Sequence, residues 1–205
     1  MYTPPAFRDD DLASAHATIR AAGLAHLVTA TQHGPLATPL PLYLVPDEGP
    51  YGTLYGHMAR ANDQWKTPVT GEALAIFAGP DFYVTPSWYA TKQQTGKVVP
   101  TWNYIAVHAH GAPEFFDDPD RLRAAVTHLT DLHENARPDP WAVTDAPEDF
   151  IRSQLRGIVG LRMEITRLTA KRKLSQNRPE ADRQGVRTGM EQDPALRALI
   201  PLVPE

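Results

Sequence analysis

Two rhythms of hydrophobic and polar positions run along this chain. Asp9, Asp10 and Asp11 precede Leu12, Ala15, His16 and Ile19, and the spacing ends at Gly23. Acidic caps, a helical period and a terminal glycine predict a short first helix. Leu24 to Thr31 then reads as a strand, His33-Gly34 as a turn, and Leu36 to Val45 as one return strand, so the chain opens on a hairpin. Tyr51 to His57 forms a third strand, with a short helix over Ala59 to Trp65. Ala73 to Gly79 is a short buried strand, and Phe82-Tyr83-Val84-Thr85 has strong β-propensity. Thr101 to His110 alternates as a half-buried strand does, with Trp102, Tyr104, Ala106 and His108 on one face and Asn103, Ile105, Val107 and Ala109 on the other.

The rhythm changes after His110. Leu122, Val126, Leu129 and Leu132 fall at helical spacing within 119–135, and Phe150, Ile151 and Leu155 do so within 147–156. Residues 158–168 alternate again, as one long returning strand. The tail from Lys171 is polar, with helices over 182–190 and 194–200. Short strands, then two helices, then one returning strand argue against a doubly wound parallel sheet. They favour a mainly β fold, a closed or split antiparallel barrel with peripheral helices. We expect one domain over 1–205, with a helical insertion at about 119–157 and a polar helical tail at about 171–205.

Composition narrows the chemistry. The absence of cysteine excludes disulfides, thiolate metal sites and a cysteine nucleophile. A net charge of −4 gives no support to phosphate-driven nucleic-acid binding, although Lys171, Arg172, Lys173, Arg178, Arg183 and Arg187 cluster in sequence. No run approaches the roughly 20 apolar residues of a bilayer span. The first residues lack the basic start and apolar run of a signal peptide, so a cytoplasmic location is expected.

Four segments carry candidate chemistry. Residues 56–62, Gly-His-Met-Ala-Arg-Ala-Asn, follow a strand and precede the expected helix. A helix N-terminus attracts anions, and Arg60 adds a forked donor set suited to phosphate, with His57 and Asn62 beside it. The bland alternative is a surface turn with a solvated arginine. Residues 79–89 hold four aromatics among Thr85 and Ser87, which suits a planar heteroaromatic ligand or a plain core. His108 and His110 share a strand face but lack a third ligand, and ordinary strand histidines are the better reading. Residues 173–179 read either as a solvated helix cap or as a segment folding back to close a site. No dinucleotide fingerprint, P-loop, nucleophile elbow or HExxH is present, so any chemistry would be carried by a bound cofactor.

These same residues carry a resemblance. Met1-Tyr2-Thr3-Pro4, residues 57–62 (HMARAN), 83–89 (YVTPSWY), 99–104 (VPTWNY) and 173–178 (KLSQNR) together resemble the PaiB family of FMN-binding negative transcriptional regulators. Five blocks in order across nearly the whole chain outweigh the bland reading of each. The resemblance implies an FMN-binding split barrel of the pyridoxamine-phosphate-oxidase type, and a homodimer with flavin at the subunit interface. It implies that His57, Arg60 and Asn62 hold the phosphate. Trp102 and Asn103 would line the flavin, Ser87, Trp88 and Lys92 would approach from the partner subunit, and Ser175, Gln176 and Asn177 would touch the site. Asp63 stands where the pattern has proline, and Thr85 where it has serine. DNA enters as a partner through the family name alone. The alternative function is a flavin-dependent oxidoreductase, or a haem- or small-molecule-modifying enzyme, on the same barrel.

Overall fold

The structure is a computed structural model describing residues 1–205. Its regular elements are β1 (Arg8–Asp9), α1 (Leu12–Ala21), β2 (Ala25–Thr31), β3 (Gly34–Leu40), β4 (Leu42–Val45), β5 (Thr53–Ala59), β6 (Ala73–Val84), α2 (Ala90–Thr95), β7 (Thr101–Gly111), β8 (Glu114–Phe116), α3 (Pro119–Glu134), α4 (Glu148–Leu155), β9 (Ile158–Glu164), β10 (Arg167–Lys173) and α5 (Glu180–Glu191), with single 3₁₀ turns between some of them. The strands form two sheets, ordered β1-β10-β7-β6-β2-β3 and β4-β5-β9-β8. The chain divides into two compact units. One comprises Met1–Thr18, Ala78–Val107 and Thr169–Glu205; the other comprises Ile19–Phe77 and His108–Leu168.

In the second unit the opening hairpin pairs antiparallel, with Leu27 opposite Thr38, and β6 flanks β2 on its other side, with Ala75 opposite Leu27. The expected single return strand is two strands. The chain breaks at Pro41, which has no N–H to continue a ladder, and β4 pairs with β5 instead, Tyr43 opposite Tyr55. Gly56 is required there, because a Cβ would lie 2.5 Å from the Pro41 carbonyl oxygen. The returning strand is likewise split. Ile165 is fully buried and its N–H donates to the Gly52 carbonyl, Thr166 N–H donates to the His110 carbonyl, and the chain emerges as β10. β9 pairs with β5 along seven residues, His57 facing Gly160. Asp118 caps α3 through the Arg121 N–H, and Leu122, Ile151 and Leu155 pack with Phe116 and Val143.

In the first unit Phe82, Val84, Tyr89, Ile105, Leu174, Val186, Met190 and Val203 form the core. Residues 86–97 form a 3₁₀ turn at Pro86–Trp88 followed by α2, which Gly96 closes in a left-handed conformation (φ 65°). Helix α5 lies against the preceding turn. A Cβ on Gly185 would overlap the Trp88 carbonyl oxygen, and one on Gly189 would overlap the Trp88 indole.

Strand β6 is a single strand of 12 residues, where the sequence suggested two pieces. Its buried side chains are Ala73, Ala75 and Phe77, then Phe82 and Val84, so the inward parity switches from odd to even across 78–81.

Candidate functional site

In the second unit the site residues gather at the end of β5. His57 is half-buried, and its Nδ1 is buried with no hydrogen-bond partner. Burial holds its pKa below the ordinary value. The Arg60 backbone is clamped at both ends, its N–H donating to the Gly157 carbonyl (2.8 Å) and its carbonyl accepting from the Trp65 indole (3.0 Å). The Arg60 guanidinium donates through Nε to the Arg156 carbonyl (2.9 Å) and through Nη1 to the exposed Asp117 (3.4 Å). An exposed pair of that length holds the side chain only weakly.

The helix expected over 59–65 is only a 3₁₀ turn over Asp63–Trp65. A three-residue turn sums too few peptide dipoles to draw an anion, so that part of the phosphate argument falls. Asn62 starts the turn. Its Oδ1 accepts from the Gln64 N–H (2.9 Å) and its Nδ2 donates to Thr38 Oγ1 (2.8 Å). The side chain that resemblance assigned to phosphate thus spends bonds on holding the corner. Gln64, which sequence reasoning missed, is buried. It donates to the Leu27 carbonyl (3.1 Å) and Thr29 Oγ1 (3.0 Å), and accepts from Thr38 (2.5 Å). This network ties the corner to the β2–β3 hairpin, and its only sequence trace is a polar residue two places after Asn62.

On the face of β5 that bears His57, Tyr55 donates to Glu48 (2.8 Å) and stacks on Tyr43 at 5.4 Å. Arg162 donates to Glu48 (2.5 Å) and lies 3.8 and 3.6 Å from Glu114 and Glu164. Burial opposes ionisation of Glu48, but hydrogen bonds from Arg162 and Tyr55 outweigh it and hold the carboxyl below its usual range. Burial, with Tyr55 and Glu48 nearby, pushes Tyr43 up to about 12.

The first unit holds the other expected residues. Trp102 and Asn103 adjoin on β7 and therefore point to opposite faces. Trp102 is 55% exposed and meets Tyr83 edge-on at 5.9 Å. Asn103 is fully buried; its Nδ2 donates to Ser175 Oγ (2.8 Å), and its Oδ1 has no partner. Ser175 is the sole non-glycine residue with positive φ (67°), held buried behind β10. Gln176 turns back on its own backbone, accepting from the Leu174 N–H (2.7 Å) and donating to the Arg172 carbonyl; Asn177 is exposed. Ser87 is exposed and accepts from Lys92 (3.0 Å), while the Trp88 indole is committed to α5. Lys173, the first residue of the 173–179 segment, donates to the Trp102 carbonyl (2.5 Å). Burial, with Lys171 and Arg178 nearby, lowers its pKa. Sequence reasoning missed Asp182, a buried carboxylate accepting from the Thr91 N–H (2.8 Å) and hydroxyl (3.0 Å). Nothing in the local sequence marks Asp182.

The donor set suits an FMN phosphate. The buried Nδ1 of His57 is unspent, and Arg60 keeps a terminal nitrogen without a hydrogen bond. The Asn103 oxygen is buried and has no hydrogen-bond partner.

A family model described as "Putative FMN-binding domain" matches residues 1–167. The chain belongs to this FMN-binding family. It is 33% identical to the protease synthase and sporulation protein PAI 2 of Bacillus subtilis, over 91% of this chain and 87% of that protein. It is also 38% identical to an uncharacterized protein of Aspergillus fumigatus, over 68% of this chain and 66% of that longer relative. Among solved structures, the FAD and heme binding protein from Mycobacterium smegmatis aligns with a TM-score of 0.60 at 16% identity, covering 81% of this chain and 73% of that one. That likeness is one of fold, and the mainly β split-barrel class read from the sequence is the fold found. No helix is long and apolar enough to cross a membrane.

Burial lowers the pKa of His57, and of His108 and His110 as well. The unfolded chain therefore binds more protons than the folded one just below the ordinary histidine value of 6.5. Stability is full above that value and falls as pH drops through it toward the lowered folded values. Urea titrations from pH 7.5 down to 5 should show this slope, and His57→Gln should make it shallower. An unchanged slope would remove His57 from the account.

Proposed function

We propose that this chain is a flavin-binding regulator of the PaiB type, with the FMN phosphate held by Arg60 and His57 at the corner after β5. The observation carrying this is the buried, partnerless His57 Nδ1 three residues from an arginine whose backbone is clamped. The family match covers both residues. Arg60 supplies a permanent cation, and His57 supplies a ring nitrogen whose bond to water was lost on folding. Asn62, with Thr38 and Gln64, fixes the backbone of the corner from which Arg60 and His57 project. By the family resemblance, Trp102, Asn103, Ser87, Lys92 and Asn177 are further candidates for contact with the flavin. When bound, FMN supplies one- and two-electron redox chemistry that no side chain here offers.

Regulation of transcription and a homodimer with interfacial flavin are supported by similarity to the family. A cytoplasmic location follows from that role.

The test is an absorbance spectrum after addition of FMN and desalting. Oxidised-flavin bands should survive in the wild type. Arg60→Ala should bind FMN ten- to a hundredfold more weakly, or about 2 kcal/mol. Unchanged affinity would refute the phosphate assignment. Light scattering tests the dimer. Gel shifts with promoter fragments, run with and without FMN, test regulation, and the absence of salt-sensitive binding would count against it.

A further inference from the structure

A cavity lies wholly within the second unit, and none of its lining residues belongs to the corner that bears Arg60. It measures about 200 Å³, and its walls are the end of α1 with Ala22 and Gly23, the start of β4 from Pro41, and the last two turns of α3. Its composition is lopsided. Arg20, His128 and His133 are the ionisable nitrogen groups, Tyr43 adds a phenol, and no carboxylate lines it. The remaining wall is apolar, chiefly Leu42, Leu44, Leu129 and Leu132.

These groups are not consumed by the fold. The Arg20 guanidinium takes part in none of the protein's ion pairs or side-chain hydrogen bonds, unlike Arg60, Arg121, Arg123 and Arg162. The His128 ring lies 4.1 Å from the Tyr43 ring, which sets its orientation at the cavity wall, and Tyr43 is braced in turn by Tyr55. Leu42 and Leu44 are buried, whereas Leu132 is 58% exposed at the rim. An arginine at a helix C-terminus is stabilised by the helix dipole, which accounts for its position but not for the apolar hollow in front of it.

We propose that this cavity binds a small monocarboxylate with an apolar body. One guanidinium matches one carboxylate through paired N–H bonds, His128 and His133 add donors, and the leucine wall takes the hydrocarbon. Since a water molecule occupies about 30 Å³ of liquid, the volume suits a ligand of roughly ten non-hydrogen atoms or fewer. A flavin is far too large, so this site is independent of the FMN reading.

The experiment is a two-dimensional amide NMR titration of the full chain at neutral pH, with FMN-free and FMN-loaded protein run in parallel. Benzoate and hexanoate are the probes, and benzyl alcohol, hexanol and inorganic phosphate are the comparators. Both carboxylates should shift amides in 20–23, 42–44 and 128–133 saturably at millimolar concentration, in both forms of the protein. The alcohols and phosphate should bind at least roughly tenfold more weakly. Arg20→Gln should weaken the carboxylates roughly tenfold, and Leu132→Trp, which fills the rim from an exposed position, should abolish the shifts while leaving the rest of the spectrum in place. Three results would each overturn the proposal: no saturable shift at these amides, alcohols or phosphate matching the carboxylates, or full binding by both variants.

Discussion

Replacing Gln64 by leucine is expected to destabilise the protein by about 3 kcal/mol. The side chains are close in volume, so the cost comes from hydrogen bonding and not from a cavity. The glutamine amide donates to the Leu27 carbonyl and to Thr29 Oγ1, and accepts from Thr38, all in an environment where Gln64 is 2% exposed. Leucine would strand the Leu27 carbonyl and the Thr29 hydroxyl and leave the Thr38 hydroxyl, still accepting from Asn62, without an acceptor for its proton; each lost bond is worth about 1 kcal/mol or more. The urea midpoint should fall with little change in the dependence on denaturant. Because the network also holds Asn62, the Arg60 corner should loosen and FMN affinity should drop together with stability. Gln64→Glu keeps the acceptor but buries a charge, and should be no better. A Gln64→Leu protein within 1 kcal/mol of wild type would show that the corner is held by something else.

The second large effect is expected from Gly185→Ala. In an ordinary helix interior this change stabilises by about 1 kcal/mol, since alanine is the better helix former. Here the new methyl would overlap the Trp88 carbonyl oxygen, and backbone cannot swing aside as a long side chain can. Overpacking of this kind costs about 3 kcal/mol, so the sign should reverse. Gln184→Ala, one residue earlier on the exposed face of α5, serves as the control and should be neutral or slightly stabilising. Thermal denaturation followed by tryptophan emission would read both stability and the surroundings of Trp88. Equal melting temperatures for the two variants would mean that α5 sits further from the 86–88 turn than described.

What the sequence made legible was periodicity. The acidic residues before Leu12, the alternation across 101–110 and the spacing of Leu122, Val126 and Leu129 each led to the right element. The alternation also separated Trp102 from Asn103 correctly, exposed against buried. The breaks at Pro41 and at Ile165–Thr166 were not legible, because residues on both sides favour extended backbone. What ends each strand is a distant partner: Gly56 pressed on the Pro41 carbonyl, Gly52 accepting from Ile165. The candidate site divides the same way. His57 and Arg60 stand out through a local motif, whereas Thr38 and Gln64 meet across 26 residues and leave no local mark. The unpaired oxygen of Asn103 depends on Ser175, 72 residues away.

The parity switch in β6 sets a rule for chain length. Phe77 and Phe82 are both buried, in separate units, although an uninterrupted pleat would send residues five apart to opposite sides. The number of residues between them is therefore fixed more strictly than their kind, except at Gly79, where a Cβ would lie 2.9 Å from the Ile105 Cβ. Deleting or inserting one would turn either Ala73, Ala75 and Phe77 or Phe82 and Val84 outward as a set. Relatives that keep both hydrophobic cores should accordingly keep Gly79, tolerate substitutions at 78, 80 and 81, and show gaps there only in pairs.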